Sequence, residues 1–184
     1  MSLSLIKQEI LESMLIIDKP ARATQIAEET GKDFKPVMMH ILGLTRMGYA
    51  FSPEKGQYAI TEKGKQALGL PKITPEAARA IIGQTPTDKA FHFYCDIDKP
   101  SNLYATSLQD FSSKILKVDV ESTIFHLNRG DFEAWFKGMG DFELAKKTEL
   151  LKRKKTMGIE LCKRLSELVE NRRLTLTALA HMSP

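Results

Sequence analysis

The sequence predicts a mainly α protein with small β content. Three observations carry this. Apolar residues recur every three or four positions along most of the chain, the spacing that puts them on one face of a helix. Two short stretches of strand composition, residues 49–51 and 57–60, flank the turn-forming run Ser52-Pro53-Glu54-Lys55-Gly56. One further stretch, residues 90–97 (AFHFYCDI), is the strand candidate of the second half.

In chain order, residues 5–17 form a first helix, with Ile6, Ile10, Met14 and Ile17 on one stripe and Lys19-Pro20 stopping it. Residues 24–30 form a short second helix that starts at Thr24 and closes at Gly31, a residue suited to the left-handed position after a helix. Asp33 is positioned to cap a third helix, in whose first turn Pro36 is tolerated. That helix ends at Gly48. The two-stranded hairpin follows, and Thr61 starts another short helix through about residue 68. Pro71 and Pro75 disfavour helix at the residues before them, so residues 70–75 read as a connector, with residues 76–82 helical.

In the second half, residues 98–102 (DKPSN) read as a turn after the 90–97 strand. Helices are then expected behind Ser107, Asp119, Asp131 and Asp141, each a capping residue type ahead of an apolar stripe. The last of these breaks near Thr156 and resumes with Leu161, Leu165 and Leu168. Gly-Asp-Phe-Glu occurs at both Gly130 and Gly140, and reads as repeated helix-start chemistry: Gly ends one helix and Asp caps the next.

Composition bounds the function. The 184 residues carry 27 basic and 23 acidic side chains, a net charge of +4, which permits a polyanionic partner without demanding one. Two cysteines, Cys95 and Cys162, make no disulfide framework and fit a reducing compartment. No apolar run is long enough to span a bilayer, and no basic segment, apolar stretch and cleavage site open the chain. The expectation is a cytoplasmic protein without membrane partners.

The order helix, helix, helix, hairpin, helix leads to a resemblance. ATQIAEETG, VMMHILGLTRMGYA and YAITEKGKQAL are similar to the second helix, third helix and wing of the winged-helix domains of prokaryotic transcription regulators. The most specific part is Tyr58-Ala59-Ile60-Thr61-Glu62-Lys63-Gly64. The resemblance covers about residues 4–68 and implies a winged helix-turn-helix domain, taken as residues 1–69. The proline-marked connector then sets residues 70–87 apart as linker and helix and leaves residues 88–184 as a helical domain with one or two strands. It implies duplex DNA as partner, a homodimer so that two half-sites are engaged, and the third helix in the major groove. The residues implied in DNA contact are Thr24, Lys35, Met38, Met39, Leu42, Arg46 and, at the wing tip, Lys55.

The chemistry of the third helix leaves two readings open. Val37, Ile41 and Leu44 mark the core face, so Lys35, Met39, Leu42 and Arg46 face outward, with Met38 to one side. Lys35 and Arg46 suit phosphates or bases, and Met39 and Leu42 suit thymine methyl groups. The same apolar pair also suits a protein partner, which makes a non-DNA-binding interaction module the alternative. The run Lys152-Arg153-Lys154-Lys155 could meet phosphates, but no aromatics alternate with it, and a solvated helix face with its turn is the favoured reading.

Catalytic and metal motifs are not in view: there is no phosphate-binding glycine loop, nucleophile elbow or HExxH. His92 and Cys95 would point to opposite faces of a strand, and His126 has no second ligand at helical spacing, so histidines are expected in structural roles. Cys162 sits within an apolar stripe and reads as a buried thiol. No enzyme activity and no cofactor are expected. AFHFYCDIDKPSNLYATSLQDFSSKI and ESTIFHLNRGDFEAWFKGMGDFELA resemble an uncharacterised prokaryotic domain over about residues 88–175, which implies a domain boundary and no activity. Phe91, Phe93, Trp135 and Phe136 are that domain's expected core, or the lining of a pocket for a small-molecule effector; a protein effector is the other possibility.

Overall fold

The computed structural model describes residues 3–182. The protein is mainly helical with two small antiparallel sheets. It divides into two compact units, one ending at Lys72 and the other beginning at Ile73.

The first unit opens with α1 (Leu5–Ile17), closed by Asp18 in the left-handed region at φ 61°. β1 (Ala21–Arg22) leads into α2 (Ala23–Thr30), closed by Gly31 at φ 65°. Then come α3 (Phe34–Arg46), β2 (Ala50–Phe51), β3 (Gln57–Ile60) and α4 (Glu62–Ala67). The strand order is β1-β3-β2, with Ala21 opposite Tyr58 and Ala50 opposite Ile60. The expected hairpin thus gains a third strand. The two-residue strand Ala21–Arg22 is too short to carry a period in the sequence. Asp33 precedes α3 but makes no side-chain cap.

Ile10, Leu11, Ile26, Val37, Ile41 and Leu44 are all fully buried and bring α1, α2 and α3 into one core, which Tyr58 closes from the sheet. Burying a side chain of this size contributes about 1.5–3 kcal/mol. The Tyr58–Gly64 motif is the joint between sheet and α4. Thr61 Oγ1 accepts the Gly64 N–H at 3.0 Å as the helix cap, and donates to the Gly48 carbonyl at 2.7 Å. Lys63 donates to the Met47 carbonyl at 2.7 Å and lies over the Tyr49 ring. Gly64 abuts the chain where it enters β2: a Cβ there would stand 2.2 Å from the Tyr49 carbonyl oxygen, so only glycine fits.

The second unit contains α5 (Pro75–Ile82), the hairpin β4 (Phe91–Asp96) and β5 (Lys99–Ala105), then α6 (Leu108–Lys114), α7 (Val120–Arg129), α8 (Asp131–Gly138), α9 (Phe142–Arg153) and α10 (Gly158–Ala180). α10 is its spine and packs against α5, α6, α7 and α9. Residues 70–87, read as linker and helix, are divided: α5 starts from a Thr74 cap and lies on α10, with Arg79 donating to the Ala180 carbonyl at 2.6 Å.

Residues 98–102, read as a turn, are mostly strand. The turn is Ile97–Asp98, with Asp98 at φ 62°, and β5 begins at Lys99. Lys-Pro-Ser-Asn has turn chemistry by composition. The sheet has only two strands, so β5 has an unpaired edge, and Pro100, opposite Tyr94, is tolerated on it.

The two Gly-Asp-Phe-Glu starts differ. Asp141 caps α9, accepting the Leu144 N–H at 3.0 Å. Asp131, expected as a cap, is instead the first residue of α8, and its carboxylate turns to His126 and Arg129.

Candidate functional site

α3 and the adjoining hairpin form the surface on which the sequence concentrates its expected contacts. Val37, Ile41 and Leu44 anchor α3 from one side, so the helix presents the opposite stripe: Lys35, Met39, Leu42 and Arg46 are all exposed, Met39 at 71% and Leu42 at 40%. Gly43 lies beside this stripe and leaves the backbone bare, with nothing within 4 Å of the position a Cβ would take. The four outward residues recur at i, i+4, i+7 and i+11 and make one continuous face.

The remaining expected contacts are more dispersed. Met38 is half-buried and packs against the core, off that face. Thr24 is exposed near the start of α2 and lines a cavity of about 390 Å³ with Phe34 and the turn between α2 and α3. Lys55 is exposed in the β2–β3 turn. That turn is fixed by Ser52 donating to the Glu54 carbonyl and by Gln57 donating to the Glu54 carboxylate.

None of the family models, curated proteins or solved structures compared with the chain matches it.

The surface is therefore read from its own chemistry. It carries two cations at the ends of a methionine–leucine centre, a third on the turn, and further apolar exposure at Phe34, Met47 and Phe51. Such a face has charge for phosphates and little hydrogen-bonding capacity for base edges.

In the second unit, Phe93, Phe111, Phe132 and Phe136 are fully buried. Trp135 is half-buried and donates its indole N–H to the Lys89 carbonyl at 2.9 Å. Phe91 belongs to this core and also backs a second cavity, of about 420 Å³, between β4 and α7. His126 forms part of the same wall. Its Nε2 accepts the Tyr94 N–H at 2.8 Å, which fixes the hydrogen on Nδ1, and Nδ1 donates to Asp131 at 2.8 Å. Burial lowers the basicity of this imidazole against the opposing pull of Asp131. No motif announces the cavity, because a strand, a turn and a helix some thirty residues apart assemble it.

Four ionic side chains are buried between α9 and α10. Arg172 Nε meets both Asp141 oxygens at 3.1 and 2.9 Å, and its Nη1 donates to Glu143 at 2.8 Å. Glu143 also pairs with Lys147 at 3.0 Å. Two acids balance two bases, so the group is neutral as a whole. Glu133 is also buried; its Oε2 has no hydrogen-bond partner among the described residues, and burial pushes its carboxyl above the ordinary range.

The run 152–155 closes α9 and the turn after it. Lys152 donates to the Asn128 carbonyl at 2.8 Å and Arg153 pairs with Glu149. Cations at a helix C-terminus also meet its negative dipole end. Cys162 is buried against Thr123, and Cys95 is half-buried near Asp119. Among the described residues no group of three or more His, Cys, Asp and Glu side chains is placed to hold a metal ion. No helix there is long and apolar enough to cross a membrane.

Proposed function

We propose that the first unit is a winged-helix domain that binds duplex DNA, and that the chain is a transcription regulator. The observation that supports this best is the uninterrupted exposed face of α3, beside a β-hairpin with a lysine at its turn. In this reading α3 enters the major groove, Lys35 and Arg46 reach phosphates on its two sides, and Lys55 meets the flanking backbone. Met39 and Leu42 lie against thymine methyl groups. The protein acts as a homodimer in the cytoplasm, and the second unit dimerises it or senses an effector.

The test is selection of bound duplexes from a random pool, followed by a salt titration on the enriched sequence. Three phosphate-reaching cations give a log–log slope of about −2.7 per protomer, and Lys35→Ala reduces its magnitude by about 0.9. Absence of binding at low salt would sink the reading.

A second reading is favoured by the apolar centre of the same face. Met39, Leu42, Phe34, Met47 and Phe51 together make a surface suited to a protein partner. Loss of a protein complex on Met39→Glu, with no duplex bound by the parent protein, would select it.

A further inference from the structure

The cavity between β4 and α7 has a lining that does not follow from the packing of the core behind it. Its floor is Phe91, in an aromatic cluster with Phe132 and Trp135. Tyr94 and Phe125 stand along its sides, and the exposed Ile97 at its mouth adds apolar surface. At about 420 Å³ it is in the range that accepts small molecules.

Its charges are asymmetric. Arg129 lies over the Phe125 ring, 5.0 Å from the ring centre, and its Nε donates to Asp131 at 3.1 Å, so its charge is answered on the spot. His126 adds no positive charge, because its Nε2 accepts the Tyr94 N–H. Two carboxylates remain at the mouth. Asp96 accepts the Ile97 N–H and pairs with Lys99 at 3.7 Å, both side chains exposed, with no other ion pair among the described residues. Asp98 makes no hydrogen bond or ion pair among the described residues. His92 completes the rim, with its ring against Tyr104.

Aromatic walls beneath exposed carboxylates, Asp98 without a partner among the described residues and Asp96 paired only with a solvent-exposed lysine, match one ligand chemistry, an organic cation with an apolar or aromatic body. The ring faces attract the positive charge, and the carboxylates add Coulomb attraction at the open end. We propose that this cavity is a binding site for small organic cations, with the body of the ligand against Phe91, Tyr94 and Phe125 and its charge at Asp96 and Asp98. The site is independent of whether the first unit binds DNA.

The test uses the full chain, labelled with nitrogen-15, and three probes of similar size: benzyltrimethylammonium, benzyl alcohol and benzenesulfonate. Amide shifts are followed during each titration. The cation should move the amides of residues 94–98 and 125–131 saturably and bind about tenfold or more tightly than the other two. Asp96→Asn with Asp98→Asn should weaken the cation about tenfold and leave the alcohol unchanged. Asparagine tolerates the left-handed backbone that Asp98 adopts, and its side-chain oxygen can still accept the Ile97 N–H, so the pair is expected to fold. Phe125→Leu keeps the apolar contact, removes the ring, and should weaken the cation alone. Equal binding of the three probes would overturn the proposal, as would preference for the sulfonate, shifts centred elsewhere, or no saturable binding of the cation.

Discussion

His126 shows how one residue ties burial, hydrogen bonding and pH together. The ring is buried, and its two nitrogens have opposite roles: Nε2 must accept from Tyr94 while Nδ1 donates to Asp131. Protonating Nε2 would break the first bond and place a cation among Phe91, Phe125 and Phe132. Asp131 would welcome that charge and Arg129 would oppose it, but burial dominates, so the folded ring titrates below its ordinary value of 6.5. The unfolded chain then binds the proton more readily. Stability from this group is complete above 6.5 and declines as pH falls from 6.5 through the lowered folded value. Urea unfolding followed from about pH 8 to about pH 5 should therefore show falling stability in the parent protein. His126→Gln should be less stable at the alkaline end, and the gap between the two proteins should shrink toward the acid end. A gap independent of pH would show that the imidazole is not held neutral.

At the scale of elements, the neighbours Arg172 and Arg173 make the sharpest contrast. Both lie on α10 and look alike in the sequence. Arg172 is buried against Asp141 and Glu143, while Arg173 is partly exposed and pairs with Glu170 one turn back. Arg172→Met should cost about 3–5 kcal/mol, because it strands an uncompensated negative charge between α9 and α10. Arg173→Met should cost less than about 1 kcal/mol, as an exposed pair does. Urea denaturation of the two variants side by side checks this, and equal losses would show that the buried group does not act as a unit. The contrast also marks what a sequence can disclose. The helices were legible because stripes such as Val37-Ile41-Leu44 and Leu161-Leu165-Leu168 are local patterns. The α9 cap at Asp141 was legible for the same reason, but its engagement with Arg172, thirty-one positions away, was not. β1 escaped because its partner Tyr58 lies thirty-seven positions away, and β5 because Lys-Pro-Ser-Asn imitates a turn. The outward face of α3 followed from helical period alone. The cavity beside His126 needed two segments, residues 91–98 and 125–131, brought together across some thirty positions.

For the whole molecule, the two units have separate cores, and the first closes within its own span. Its helices meet through Ile10, Leu11, Ile26, Val37, Ile41 and Leu44, and Tyr58 covers them from the sheet. The Thr61 cap, the Lys63 bond to Met47 and the contact of Gly64 with Tyr49 tie α4 to the start of the hairpin by local bonds. A fragment ending at Lys72 therefore contains the partners just named for these residues. A chain of that length buries a smaller share of its surface than a larger domain, so its stability should be modest, about 3–5 kcal/mol. The fragment is expected to show a helical circular-dichroism spectrum and one cooperative urea transition, with coincident curves for helix content and tyrosine fluorescence. Gly64→Ala in the same fragment should collapse that transition, because the added methyl group meets a backbone carbonyl that cannot swing aside as a side chain would. A gradual, non-cooperative loss of helix in the parent fragment would mean that this core depends on residues beyond Lys72.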